Sequence, residues 1–274
     1  GAVCVLTDEN GAFALPVPEI PVARNGDTCD AFVMVSTPAG YRSETPNGWY
    51  RSITRGGSDD FTFRLVPDSH RSGDEVAFAQ LTDLHVGEYP GAWIAEDIRS
   101  ICEVAARDHI DCIVATGDMT QHGTPEQYAE YLDACTVSTL PIINVPGNHD
   151  WSHDKSGATW TRFMGPLCFS LDWGPAHFVA YDSTAHHYTD TLPLDTWLAA
   201  DLALVPPERP IVMLIHHQRA EDFYGRVREM LPDQNAVGIV ATLSGNLLVC
   251  GASDGWLYGW TDATKIEAST HSAI

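Results

Sequence analysis

Polar residues of a metal-binding kind recur in this chain directly after apolar runs: Asp83-Leu84-His85, Gly117-Asp118, Val145-Pro146-Gly147-Asn148-His149-Asp150 and His216-His217. The runs before them, residues 76–81, 112–115, 142–145 and 211–215, read as buried strands. In open α/β sheets ligands bind beyond the carboxyl ends of strands. Taken singly, any of these polar residues would do no more than cap a loop or the following helix. All four groups in this order, with glycine beside two of them, point instead to a cluster that holds divalent metal. Imidazole, carboxylate and amide donors together suit Mn, Fe or Zn better than Ca.

The elements that must position these groups change character along the chain. Residues 1–66 lack helical periodicity and carry strand-like runs at 1–6, 12–16, 31–37 and 61–65, so a small all-β unit is expected there. Asp8-Glu9-Asn10-Gly11 reads as a tight turn, since Asn-Gly tolerates positive φ. Polar residues 67–75 read as a linker. From residue 76 the pattern alternates. Ile94, Ile98, Ile101, Cys102 and Ala105 predict a helix over 92–109, and Thr124-Pro125 opens a second with Thr as N-cap and Pro at its first position. Further helices are expected at 195–204 and 223–231, and a hairpin at 169–182 turning at Trp173-Gly174-Pro175. That succession argues for an α/β layered domain. Residues 246–274 behave differently, with short strands separated by turn residues.

Composition narrows the partners. The net charge is −22, with Lys155 and Lys265 the only lysines, so nucleic acid and anionic lipid are poor partners. A phosphate-bearing small molecule stays possible because bound cations would dominate the local field. The apolar runs fall short of the roughly 20 residues of a membrane span. None of the seven cysteines forms a CxxC pair, which argues against a thiolate zinc site. Cys102, Cys112, Cys135, Cys168 and Cys250 read as small core residues, whereas Cys4 and Cys29 would bridge the N-terminal unit in an oxidising compartment. Gly-x-x-x-x-Gly-Lys does not occur, which disfavours a P-loop nucleotide-binding fold. The first residues read as the middle of a strand, so the N-terminus is taken as a cut and compartment cannot be read from it.

Asp-x-His, Gly-Asp, Gly-Asn-His-Asp and a strand-terminal His fall in the order of the calcineurin-like metallophosphoesterases, and residues 76–218 resemble that superfamily. The resemblance implies two mixed β-sheets packed face to face and flanked by helices, and hydrolysis of a small phosphate ester at a dinuclear metal site. By the family's pattern Asp83 and His85 would hold one divalent ion, Asp118 would bridge, and Asn148 and His216 would hold the other. His217 is the alternative to His216, because side chains alternate along a strand. His149 would protonate the leaving oxygen or stabilise the transition state, oriented by Asp150 or a neighbouring carboxylate. His122 and His217 are candidate substrate contacts.

Residues 7–16 and 33–41 resemble the small β-sandwich modules ahead of some bacterial phosphoesterases, which favours a secreted or periplasmic protein. Residues 249–260 resemble one blade of a quinoprotein-type β-propeller. The expected organisation is therefore a β-sandwich module at 1–66, a linker at 67–75, a metallophosphoesterase-like domain at 76–245 and a β-rich tail at 246–274. One departure stands out. The family's final Gly-His-x-His falls where this chain reads Leu243-Ser244-Gly245-Asn246. Two ligands are then missing: the second ion would be weak or absent unless His186 and His187 stand in, and the alternative is a catalytically impaired remnant acting as a scaffold or binding protein.

Overall fold

The computed structural model describes residues 3–16, 31–53, 61–185, 194–216, 226–227 and 229–231, with the backbone alone at 237–243, 246–252 and 259–260. The expected Cys4–Cys29 bridge, the stand-in pair His186 and His187, His217 and most of the helix expected at 223–231 involve residues outside that set.

Four short strands come first: β1 (Phe32–Met34), β2 (Tyr41–Ser43), β3 (Tyr50–Ser52) and β4 (Leu65–Pro67). They pair as two antiparallel ladders, β1 with β3 and β2 with β4. The strands expected before residue 17 do not form. Residues 3–16 are irregular around a turn closed by the Asp8 carboxylate, which accepts from the Asn10 and Ala12 N–H groups at 2.8 Å. Gly11 alone takes positive φ there, so the side chain of Asp8 rather than an Asn-Gly hairpin shapes the turn.

The alternating region follows as β5 (Phe78–Leu81), α1 (Gly91–Asp108), β6 (Cys112–Thr116), α2 (Pro125–Cys135), β7 (Ile142–Val145), α3 (Ala158–Phe163), β8 (Phe169–Trp173), β9 (Ala176–Ala180), α4 (Leu194–Leu202), β10 (Ile211–Leu214), β11 (Val237–Leu243), β12 (Asn246–Ala252) and β13 (Gly259–Trp260). Thr124 caps α2 as expected, its hydroxyl accepting from the Gln127 N–H, with Pro125 at the first position. Strands β5, β6 and β7 form one sheet. It is wholly parallel rather than mixed, because α1 and α2 each carry the chain back across it. The second sheet is mixed and runs β13-β12-β11-β10-β9-β8, parallel only across β9-β10-β11. Residues 249–252 and 259–260 thus lie in β12 and β13, at one edge of this sheet.

The period of two along each strand sorts side chains into layers. Cys112 and Val114 of β6 and Ile143 and Val145 of β7 join Phe169, Trp173, Phe178 and Leu214 of the second sheet in one buried cluster. The alternate residues Ile113 and Ala115 join Ile94, Ile98, Tyr128 and Tyr131 from the helices. Two sheets therefore pack face to face with helices outside, and the three parallel strands of the first end at a single edge.

The N-terminal residues lie along strand β8. Thr37 bridges to Leu171, its carbonyl accepts from the Asp172 N–H at 2.8 Å, and the Trp49 ring lies 4.6 Å from Phe169. This covers an edge that would otherwise offer unpaired backbone groups. Residues 69–71 form a 3-10 turn that places Arg71 4.3 Å over the Trp173 ring.

A buried ionic cluster ties the outer face of the second sheet to α4. His177 sits between Asp172 (Nδ1–Oδ1 2.8 Å) and Asp201 (Nε2–Oδ2 3.0 Å), while Arg209 reaches the other oxygen of Asp172 and Ser170 donates to Asp201. Burial opposes the His177 charge, but the hydrogen bonds and charges of both acids outweigh it and raise its pKa to about 9. A histidine whose folded pKa exceeds its unfolded value of about 6.5 stabilises fully below that value and loses the contribution as pH rises through the folded pKa. Unfolding free energies of wild type and His177→Gln should therefore differ most near pH 6 and converge near pH 10; a constant gap would place the cost in packing alone.

Candidate metal centre

The shared edge of β5, β6 and β7 carries the groups singled out in the sequence. Asp83 and His85 follow β5, Asp118 follows β6, Asn148 and His149 follow β7, and His216 follows β10. The backbone there is unusual. Four non-glycine residues among those described take positive φ, and three of them are Asp83, His85 and Asp118, at 55°, 47° and 54°. Each such conformation costs on the order of 1 kcal/mol or more, so the surroundings must hold it. A ladder between the two loops does so: the N–H groups of Asp83, His85 and Val86 donate to the carbonyls of Gly117 (3.1 Å), Asp118 (2.9 Å) and Met119 (2.9 Å).

Five side chains converge. His216 Nε2 lies 3.3 Å from Asp118 Oδ2, and His85 Nε2 lies 3.9 Å from that oxygen and 3.8 Å from Asp83 Oδ1. The rings of His85 and His149 meet edge to face at 4.6 Å. Proximity sorts the donors into two groups, Asp83–Asp118–His216 and His85–Asp118–His149, with Asp118 common to both. The family pattern puts Asp83 with His85 and treats His149 only as a proton donor; here Asp83 adjoins both His85 and His216, and His149 stands among the donors.

Each ring is held so that Nε2 faces the cluster. His216 Nδ1 donates to the Thr116 carbonyl (2.7 Å), His85 Nδ1 to Gln121 Oε1 (2.6 Å) and His149 Nδ1 to the Gln121 carbonyl (2.9 Å). A carbonyl oxygen only accepts, so Nδ1 carries the proton in each ring and the lone pair of the neutral ring sits on Nε2. Anchoring the second ring nitrogen in this way is characteristic of metal-ligating histidines.

Close approach explains the glycines. A Cβ on Gly117 would run into the His216 ring, and one on Gly147 into the carboxylate and N–H of Asp118. The His149 N–H donates to Asp118 Oδ1 at 2.9 Å. Burial alone would raise the Asp118 carboxyl, but the hydrogen bond and charge of His216 and the His149 N–H hold it below the usual range. For Asp83 burial is likewise outweighed, by hydrogen bonds from His85 and Thr82 and by the charge of His216. The Asp83 hydrogen bond raises His85 despite its burial; His216, opposed first by burial, is raised by Asp118.

The donor set fits divalent metal. Two donors each about 2.1 Å from one ion lie no more than about 4.2 Å apart, and the measured spacings of 3.3 to 3.9 Å fall inside that limit. In the plain protein two carboxylates share this space, an arrangement that needs positive charge between them.

Two sequence candidates, Asp150 and His122, stand away from the cluster. Asp150 does not orient His149. Its carboxylate, fully buried, accepts from the Thr120 N–H (3.0 Å) and hydroxyl (2.7 Å) and from the Gly147 N–H (2.9 Å). Burial raises its pKa to about 6, with the Gly147 N–H opposing and the Asp118 charge adding. His122 is exposed on the loop after Asp118, where its N–H donates to Gln127 Oε1. Asn148 lies between the two residues that close on Asp118, and its carbonyl accepts from the Trp151 N–H. Sequence reading missed Gln121 and the Thr116 carbonyl. Gln121 follows Asp118 by three positions, but neither a backbone carbonyl nor a lone glutamine carries a recognisable signal.

The calcineurin-like phosphoesterase family profile matches residues 76–251, and the chain belongs to that family. It is 27% identical over 158 residues to a 3',5'-cyclic-nucleotide phosphodiesterase of Nostoc sp., covering 52% of this chain and 56% of that protein. It is 28% identical over 125 residues to a glycerophosphodiester phosphodiesterase of Enterobacter lignolyticus, covering 40% and 43%. It is 34% identical over 92 residues to a probable cyclic nucleotide phosphodiesterase of Colwellia psychrerythraea, covering 32% and 31%. The chain thus spans between about a third and just over half of these relatives.

Asp150 is assigned a positioning role, which separates stability from chemistry. Asp150→Ala strands the Thr120 N–H and hydroxyl and the Gly147 N–H, and should lower the unfolding free energy by about 2–3 kcal/mol. Urea unfolding that matches wild type would contradict this.

Proposed function

We propose that this member of the calcineurin-like phosphoesterase family hydrolyses phosphate esters, phosphodiesters foremost, at a centre of two divalent ions. The observation that carries the reading is Asp118, a buried carboxylate common to two three-residue donor groups. A pair of ions about 3.5–4 Å apart needs one shared ligand of this kind. Bound ions would supply neutralisation of the phosphoryl oxygens and activation of a water nucleophile, with Mn, Fe or Zn matching the mixed donors.

The chain's own residues define the rest. Asp83 and His216 complete one group and His85 the other, with Asn148 as a further ligand from the same turn that brings His149 to Asp118. His149, fixed through Nδ1 by the Gln121 carbonyl, presents Nε2 to the leaving oxygen and, as the imidazolium with both ring nitrogens protonated, passes it the Nε2 proton and is left neutral. The diester preference draws on the three relatives, each named as a phosphodiesterase, and on the negative charge of this chain, −22, which penalises a dianionic monoester more than a monoanionic diester. The alternative, an impaired remnant, draws on the missing Gly-His-x-His at 243–246, where Ser244 and Gly245 lie outside the described residues.

Metal content and hydrolysis of bis(p-nitrophenyl) phosphate with added Mn²⁺ test the proposal together. Wild type should bind two ions and turn over. Asp118→Asn should lose metal and at least about 10³-fold in rate. His149→Ala should keep both ions yet lose about 10²- to 10⁴-fold in kcat; loss of an ion in that variant would make His149 a ligand instead. Two bound ions without turnover would favour the remnant.

A further inference from the structure

We infer that Tyr89 and Trp93 form a stacking platform at the rim of the metal centre, which takes the planar group of an aryl or nucleoside phosphate ester. The inference rests on the hydrolase reading above and names the substrate class of that site.

The core absorbs Trp151, Trp160 and Trp173 almost completely, yet Trp93 is 60% exposed and Tyr89 45% exposed. Their rings stack on each other, with centroids 6.3 Å apart and planes 25° apart. Two large aromatics side by side in water on so acidic a surface mark a recognition site more readily than packing.

Their place in the chain ties them to the centre. The turn that carries Tyr89 begins at His85, whose carbonyl accepts from the N–H groups of both Glu88 (2.9 Å) and Tyr89 (3.1 Å). Val86 is stitched to the Asp118 loop on both sides: its N–H donates to the Met119 carbonyl, and its carbonyl accepts from the Gln121 N–H, each at 2.9 Å. The platform and the donors His85 and Asp118 therefore grow from the same hydrogen-bonded pair of loops.

The turn is also preorganised. Gly87 takes φ +104, and a Cβ there would collide with the Gln127 amide. Pro90 fixes the entry to α1, the Gly91 N–H donates to Glu130 Oε1 (2.7 Å), and the Trp93 N–H donates to the Pro90 carbonyl (3.0 Å). A backbone fixed in this way spares the turn an ordering cost on meeting a ligand, which is what a binding platform requires. The phosphate of an ester belongs at the metal cluster, so the part left over for the platform is its organic substituent. A π-face accepts any planar ring, and Glu88 between the platform and His85 disfavours an anionic substituent.

Two esters with the same leaving group separate this role from a structural one. They are the ethyl ester of thymidine 5'-monophosphate and ethyl methyl phosphate, neither with an aryl leaving group, assayed by ethanol release with the Mn²⁺-loaded full chain. Tyr89→Ala/Trp93→Ala should lower kcat/KM for the thymidine ester about tenfold more than for the methyl ester. Adenosine 5'-monophosphate should quench wild-type tryptophan fluorescence more than ribose 5-phosphate does, and Trp93→Phe should remove most of that difference. Equal losses on both esters, or equal quenching by the two phosphates, would overturn the platform. If wild type hydrolysed neither ester while the nucleotide-specific quenching persisted, the hydrolase reading would fail and the platform would stand.

Discussion

The burial of the Asp118 carboxylate between imidazoles is the constraint on which the rest of this structure depends. A second acid, Asp83, shares the space, and both are held below the usual carboxylate range. Two ionised acids in one partly buried pocket repel unless positive charge lies between them. His85 and His216 supply part of it, and their raised proton affinity records the demand. A divalent cation answers the same demand more fully, since it concentrates charge between the donors without needing protons on the histidines. The left-handed backbone at Asp83, His85 and Asp118 belongs to the same economy: strain is tolerated where the loops must bring donors together.

Other acids in this part of the molecule are handled in the opposite way. Asp150 and Asp182 are fully buried, and burial raises them to about 6 and about 7. Asp182 accepts from Trp151 Nε1, from both Thr184 donors and from the Ala185 N–H, much as Asp150 collects Thr120 and Gly147. These two act as staples. One fastens the turn after β7 to the loop after β6, and the other fastens Trp151 to the loop after β9. Neighbouring groups decide the division: histidine partners keep an acid ionised for a cation, whereas neutral donors make it an anchor.

The sequence made the layered architecture and the convergence legible because both rest on strong local signals. Apolar runs of strand length, each ending in Asp, Asn or His, mark strand ends, and helices between them force β5, β6 and β7 parallel, which gathers the ends at one edge. Gly117 and Gly147 were visible beside their motifs, although the reason for them is the close passage of His216 and Asp118. What stayed hidden depends on tertiary placement. The partner of His149 is a carbonyl, that of Gln121, and Asp150 looked catalytic because a carboxylate beside a histidine reads as its orienting group. The passage of residues 31–53 along β8 rests on contacts distant in sequence, Thr37 with Leu171 and Trp49 with Phe169, and α3 packs its Trp160 and Phe163 rings on Tyr128 of α2.

The most direct measurement is the anomalous scattering of manganese in crystals of the full chain grown with Mn²⁺. The account predicts two peaks about 3.5–4 Å apart with the Asp118 carboxylate between them, one beside Asp83 and His216 and the other beside His85. A single peak, or manganese bound only away from these side chains, would contradict it.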